Sequence, residues 1–538
     1  MSFFLFLSGN GYSRTLVFAL RIALLVCMLD PVAAQQAGSS LQYQDNAPEA
    51  IATANPEWTG LYFSGRQVGF SSNRTVPTVY EGKPALLSTV VGVTRLPLNG
   101  AVVEEEEQSE TVTDGRHRLL KQTFNVTSKG SLLHVEARFD AAAQEIDCTV
   151  GHGEGATHKT LVIPPGVNLA ADTHTLTHGR DLKPGMHLVF AYLDPVSVKL
   201  RTATVDVTGR ATITDDTGGE ITAFVVQMQV SGGIIVAWTD AKGDPIKSEI
   251  TVGNAILTQV RETKPHALDP SYISPALTAP AAAANADFAE ATTIVPDRPI
   301  PAPRQLRLLQ AVISGVPANN LLPSDARQSA ETLPQSHVGT RPPRLDAAGL
   351  TVRFTMRAEQ IDPATPARWP VTDRQFKPYL ARAAYLETDD PQIRQVAMDL
   401  RGNETDLYRI ASSIRNWVAR QMTPDAGIGV PRSARDVFDR RHGVCRDYAT
   451  LFAALARAAG VPTRLCAGIV YNQGRFCYHA WAECYVGRWV AFNPTLYSPG
   501  ETEAVDATHI KFAQGDVTQM LDVIAIIGRL KIRIERIM

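Results

Sequence analysis

The chain is 538 residues long, more than one hydrophobic core organises, so two or three domains are expected. Apolar residues make up 44% and charged residues 20%, the proportions of a globular protein, and the formal net charge is only −2. Lys and Arg are scattered rather than clustered, so there is no basic field to attract nucleic acid, and that class of function is set aside.

The first 34 residues read as a secretory signal peptide. Arg14 and Arg21 supply positive charge, Leu16 to Leu29 is the apolar stretch, and Val32, Ala33 and Ala34 offer small residues for cleavage after Ala34. An N-terminal membrane anchor is the alternative, but Arg21 and Asp30 leave a clean run shorter than the ~20 apolar residues of a comfortable span. The expectation is a periplasmic or secreted protein with no stable membrane span after signal removal. Export implies an oxidising compartment, where cysteines tend to pair. Cys27 leaves with the signal; Cys148, Cys445, Cys466, Cys477 and Cys484 remain, an odd number with no zinc-type spacing.

Strand signals then dominate residues 57–262. Gly60 to Val76 reads as strand, Ser-Gly turn, strand, and runs rich in Val, Thr, Ile and aromatics follow, separated by Gly, Asp and Asn. Within them, Glu104 to Glu107 is a strand-like run with both faces acidic, expected to be solvated surface. His174 and His178 could chelate a metal, but they lie among turn signals without a carboxylate in register. Residues 263–303 are Pro- and Ala-rich, a linker candidate with one short helix. Arg304 to Val316 and Gly349 to Ala358 look like strands of a small sheet that opens the last region, 304–538. From about Asp389 the period changes: Pro391 to Gly402 and Thr405 to Met422 place apolar residues three and four apart, as amphipathic helices do.

The next helix carries the chemistry. If Cys445 begins it, Tyr448, Leu451, Phe452 and Leu455 fall on one buried stripe, Gly460 caps the end and Pro462 prevents continuation. Cys445 then lies in the first turn, where unpaired N–H groups and the positive dipole end favour a thiolate, and Asp447 is favoured there too. Gly443 lets the backbone approach closely. Three strands follow: Pro462 to Tyr471, Tyr478 to Val486 and Arg488 to Thr495. An antiparallel hairpin brings His479, which opens the second, beside Asn493, which ends the third. If these strands pack on the Cys445 helix, nucleophile, base and orienting amide meet at one sheet edge. Trp481, Glu483 and Tyr485 share the His479 face and either wall a cleft or pack. Trp417, on the preceding helix, is read as core, and Cys466, Cys477 and Cys484 as core thiols or one disulfide.

The blocks GVCRDYATLFAALARAAGVPTR, YHAWAECYV and WVAFNPT resemble the transglutaminase-like superfamily, relatives of the papain-like thiol enzymes, over Thr405 to Leu496. The resemblance implies an α+β fold, a papain-like transglutaminase core with the nucleophile helix packed on an antiparallel sheet, preceded by a β-rich module. It places the family's nucleophile on Cys445, its histidine on His479 and its third member, usually Asp, on Asn493. Asn can orient an imidazole but cannot stabilise imidazolium by charge. The implied chemistry is acyl transfer from a protein or peptide amide through a thioester, most often hydrolysed, with no cofactor or metal. A transamidating cross-linker and a non-catalytic binding module are the alternatives. The runs Asp506 to Asp516 and Gly528 to Ile537 read like that group's closing strand.

Overall fold

The computed structural model describes residues 56–538 apart from short stretches, the longest being 278–286, 335–348, 360–366 and 496–504. The expected signal peptide and the His174/His178 pair lie outside the described residues. Among the described residues no helix is long and apolar enough to cross a membrane.

Among the described residues the β-rich region is one sheet of fifteen strands. Its first and last strands, Glu57–Phe63 and Ala255–Glu262, pair at the centre, and a meander runs outward from each. The first hairpin turns at Ser64 and Gly65, both at positive φ, which suits the right-handed twist of the flanking strands. Three strands matter for the site: β1 (Ala101–Thr113), β2 (Leu119–Ser128) and β3 (Ser131–Asp140).

The acidic run falls on β1, and it is not solvated on both faces. Burial alternates along the strand, so Glu104 and Glu106 are exposed while Glu105 and Glu107 point inward. Glu107 accepts a hydrogen bond from Ser109 Oγ at 2.7 Å. Glu105 is fully buried with no hydrogen bond to either carboxylate oxygen, close to Gly429 and in the field of Arg446. Burial pushes its carboxyl up to about 8, against the opposing pull of Arg446. A carboxyl raised in this way contributes stability that is complete below its unfolded value of about 4.3 and is lost as pH rises through about 8. Glu105→Gln is therefore expected to stabilise the protein by roughly 1–3 kcal/mol at pH 8 and by almost nothing near pH 4. Urea midpoints at the two pH values check this; an equal gain at both would mean that ionisation is not the cause.

The Pro- and Ala-rich segment expected as a linker is packed where it is described. It contains helices Lys264–Leu268 and Phe288–Thr292. Phe288 is buried against Phe63 at 5.5 Å, Ile294 bridges to Phe476, and the Ile300 N–H donates to Tyr471 Oη at 3.0 Å. Three apolar anchors spread through a Pro/Ala background have no period to betray them, yet they join the sheet to the rest in one continuous core.

Beyond it, β4 (Leu308–Val316), β5 (Gln328–Thr332) and β6 (Leu350–Arg357) form a small antiparallel sheet, closed by the final strand, Lys531–Ile537, against β4. Four helices follow: α1 (Pro391–Arg401), α2 (Leu407–Gln421), α3 (Ala434–Arg440) and α4 (Cys445–Ala458). The first three are capped by Asp390, Asp406 and Ser433 side chains on their first free N–H groups. The last sheet has the order β9-β8-β7-β10, from β7 (Thr463–Asn472), β8 (Arg475–Tyr485), β9 (Trp489–Phe492) and β10 (Ile510–Gly515). Helix α4 is not the one-striped helix its apolar period suggests: Arg446, Asp447, Thr450 and Arg457 are buried as well. It is central, packed by α1, α2, α3, β7 and β8.

Candidate active site

Cys445 is the first residue of α4 and is fully buried. The turn before it is fixed by charge. The Asp447 carboxylate reaches back to accept from the Val444 N–H at 2.9 Å and pairs with Arg432 at 3.1 Å. Arg432 also donates to the His442 carbonyl, and Arg446 donates to the Gly429 and Val430 carbonyls at 3.3 and 2.6 Å. A Cβ at Gly443 would overlap Arg432 and Asp447, which is why a glycine stands there. The β2–β3 hairpin of the large sheet docks on this region. Ser128 Oγ accepts from the Gly429 N–H, Lys129 pairs with Asp425 at 2.6 Å, and Ser131 Oγ donates to Asp436 at 2.9 Å.

His479 and Asn493 are brought together as the hairpin requires. His479 pairs with Gly468 of β7 and is buried. Its Nε2 lies 3.3 Å from Asn493 Oδ1, which also accepts from the Thr495 N–H at 3.1 Å and the Thr495 hydroxyl at 2.7 Å. Arg415 Nε holds the Asn493 carbonyl at 3.1 Å. An amide oxygen only accepts, so the proton of a neutral His479 ring resides on Nε2 and Nδ1 is left as a lone pair. That Nδ1 is buried and makes no hydrogen bond, so Cys445 and His479 are not hydrogen-bonded to each other in this structure.

Their relative level follows from the packing. Phe452 stacks on Phe492, whose strand partner is Ala482. Arg457 donates to the carbonyl of Thr463, whose partner is Cys484. Helix and strand therefore run in the same direction. Seven residues back from Phe452, about 10 Å along the helix, matches about three residues of strand and reaches the level of His479. There β9 has ended at Phe492, and the chain continues beside His479 through Asn493 and Thr495. The alternation of β8 puts His479, Trp481 and Glu483 on one face of the strand and Ala480 and Ala482 on the other.

Burial favours the uncharged form of His479. Burial pushes the His479 imidazole down to about 3, aided by His509 and Arg304 and opposed by Asn493 and Asp506. Cys148, Cys466 and Cys484 do not compete as thiolates. None of the five is in a disulfide, and burial pushes Cys148 and Cys484 up to about 12 and Cys466 higher still.

The remaining sequence candidates are packed as follows. Trp417 stacks on Phe438 at 6.3 Å under Arg441, and Tyr485 packs on Phe376 at 4.1 Å. Glu483 is buried between Arg464 and Lys511, each at 2.6 Å. Trp481 is buried 6.1 Å from the His479 ring. Sequence reasoning did not single out Arg432, Arg446, Asp506 or His509. The last two stand three apart in the run taken as a closing strand, but only the pairing of β10 with β7 shows that this run returns to His479.

Residues 394–494 match the transglutaminase-like superfamily. No curated protein matches the chain in sequence. Among solved structures, the chain is similar to a putative cysteine protease from Cytophaga hutchinsonii, at 20% identity over 42% of this chain and 82% of that one, TM-score 0.29. It is also similar to a putative protease from Parabacteroides distasonis, at 11% identity over 73% of this chain and 68% of that one, TM-score 0.19. With a large β-rich sheet before it, the segment 394–494 is a transglutaminase-like superfamily core.

Proposed function

We propose that the protein is a thiol acyl-transfer enzyme acting on protein or peptide amides, with hydrolysis as the outcome. The observation that supports it most is the His479–Asn493 pair. It leaves a bare Nδ1 base at the level of Cys445, which stands in the first turn of α4. In this reading Nδ1 takes the Cys445 proton as sulfur attacks the amide carbonyl. The tetrahedral oxyanion is met by N–H groups at the start of α4, the Cys445 N–H among them. Collapse expels the amine, which leaves with the proton from His479, and a thioester remains. Water attacks it, His479 accepts the water proton, the acid departs and the thiol is restored. Asn493 holds the ring without charge. Residues 1–34 are proposed as the leader that exports the enzyme.

The burial of all three residues favours one further reading, a transglutaminase-like module that only binds. One experiment separates the two: the rate of Cys445 alkylation by iodoacetamide against pH, read by peptide mass, with His479→Ala as control. A working pair is expected to react well below the ordinary thiol range near about pH 8.5 and to lose that limb in the control. The same ordinary profile in both proteins would remove the catalytic reading and leave the binding module.

A further inference from the structure

A second imidazole adjoins the first. The His509 ring stands edge-on to His479, with centroids 5.6 Å apart and planes at 67°, and 5.4 Å from Trp481. It arrives there because β10 pairs with β7, whose Gly468 lies opposite His479; a Cβ at Gly468 would overlap the Ile510 carbonyl next to His509. His509 is buried and its Nδ1 lies 3.2 Å from Asp506 Oδ1.

Asp506 is itself firmly held. Oδ1 accepts from the Thr508 N–H at 2.7 Å and the Thr508 hydroxyl at 2.5 Å, and Oδ2 pairs with Arg304 at 2.6 Å. Arg327 donates to the backbone carbonyls of Asp506 and His509, at 3.4 and 2.9 Å. Burial alone would raise the Asp506 carboxyl, but His509, Arg304 and Thr508 outweigh it and keep it ionised. The charged and titratable groups around His509 include Asp506, Arg304 and Arg327, with the His479 ring beside it. His509 Nε2 is buried and makes no hydrogen bond.

The asymmetry between the two rings is the point. Both are buried, but only His509 touches a carboxylate; His479 touches a neutral amide. We propose that His509, held by Asp506, is a positioning residue for the proton chemistry of His479: it takes the first proton that enters the buried site, and so keeps His479 Nδ1 a base. Two imidazoles this close titrate as a coupled pair, and once one carries charge the other resists it. The carboxylate decides which ring is first. The proposal rests on the reading of His479 as the base.

The test is a pH titration of ring nitrogen resonances in the ¹⁵N-histidine-labelled full chain, assigned by single substitutions, for wild type and His509→Gln. Gln removes the competing charge and can still donate to Asp506. The expected result is that His509 titrates above His479 in the wild type, and that the His479 midpoint rises by about one pH unit or more in the variant. A purely structural His509 would leave that midpoint in place, and an unmoved midpoint in a folded variant overturns the proposal. So does a wild type in which His479 titrates first. If His509→Gln fails to fold, Asp506→Asn is read instead: the His509 midpoint must fall towards that of His479, and no change overturns the idea. Cys445 alkylation, run alongside, keeps the two claims apart. A shifted His479 midpoint with alkylation indifferent to His479→Ala supports the proton order and sinks the catalytic reading. Alkylation that depends on His479 but ignores His509→Gln, with an unmoved midpoint, does the reverse.

Discussion

Cys445→Ala is expected to lower turnover of a peptide or protein amide by at least ~10³-fold, because a nucleophile has no partial substitute within its own site. The fold should barely notice. The side chain lost is a single buried sulfur at the start of α4, and such a void costs about 1 kcal/mol. The Asp447–Val444 and Arg432–Asp447 contacts that shape the turn involve the backbone and other side chains, so they survive. Rate and urea midpoint together are the check: a collapse of the first with the second nearly unchanged. Cys148, Cys466 and Cys484 are not poised to take over, since burial holds them in the neutral form. Wild-type turnover by Cys445→Ala would therefore remove the chemistry from this site altogether.

Glu483→Ala is expected to have the largest effect on stability, a loss of about 3–5 kcal/mol. Glu483 sits at the middle of a buried network. Lys511 Nζ, itself fully buried, lies 2.6 Å from Glu483 and 2.6 Å from Asp325, and Arg464 makes paired contacts to Glu483 at 2.6 and 2.7 Å. Burial alone would raise the Glu483 carboxyl, but Lys511 and Arg464 outweigh it and hold it low; Asp325 is likewise held low by Lys511. Removing Glu483 leaves Arg464 without its carboxylate partner and Lys511, itself buried, on Asp325 alone. The pH dependence follows in sign. Carboxyls lowered in the folded state contribute stability that is present above their unfolded values near about 4 and is lost as pH falls below them. The wild type should therefore lose stability on acidification, and Glu483→Ala should lose less over the same range. Guanidinium midpoints at pH 7 and pH 3.5 give both numbers, and parallel falls in the two proteins would argue that this network is not what acid breaks.

Local signals in the sequence reached a long way into the catalytic region. The apolar stripe from Tyr448 to Leu455 with Gly460 and Pro462 behind it, and the alternation from Tyr478 to Thr495, are short-range patterns, and helix α4 and the β8–β9 hairpin follow from them. The hairpin alone brings Asn493 to His479, because antiparallel pairing converts a sequence interval into a distance. What the sequence could not determine is everything that depends on which surfaces meet. The alternation of β1 marks two faces of the acidic run equally, and only the docking of the large sheet on the α3–α4 region decides that Glu105 is buried near Gly429. Phe288 and Ile294 sit in a background of Pro and Ala that has no period, so their packing is invisible until the core closes around them. His509 is separated from His479 by thirty positions in which β9 and the 496–504 stretch intervene, and its place beside the imidazole is fixed by the pairing of β10 with the far side of β7. Short-range periodicity determined the elements and the hairpin. Long-range pairing and burial, which set the charge state of His479 and the company it keeps, were decided by the tertiary structure alone, because desolvation and Coulomb interactions depend on distance in space rather than along the chain.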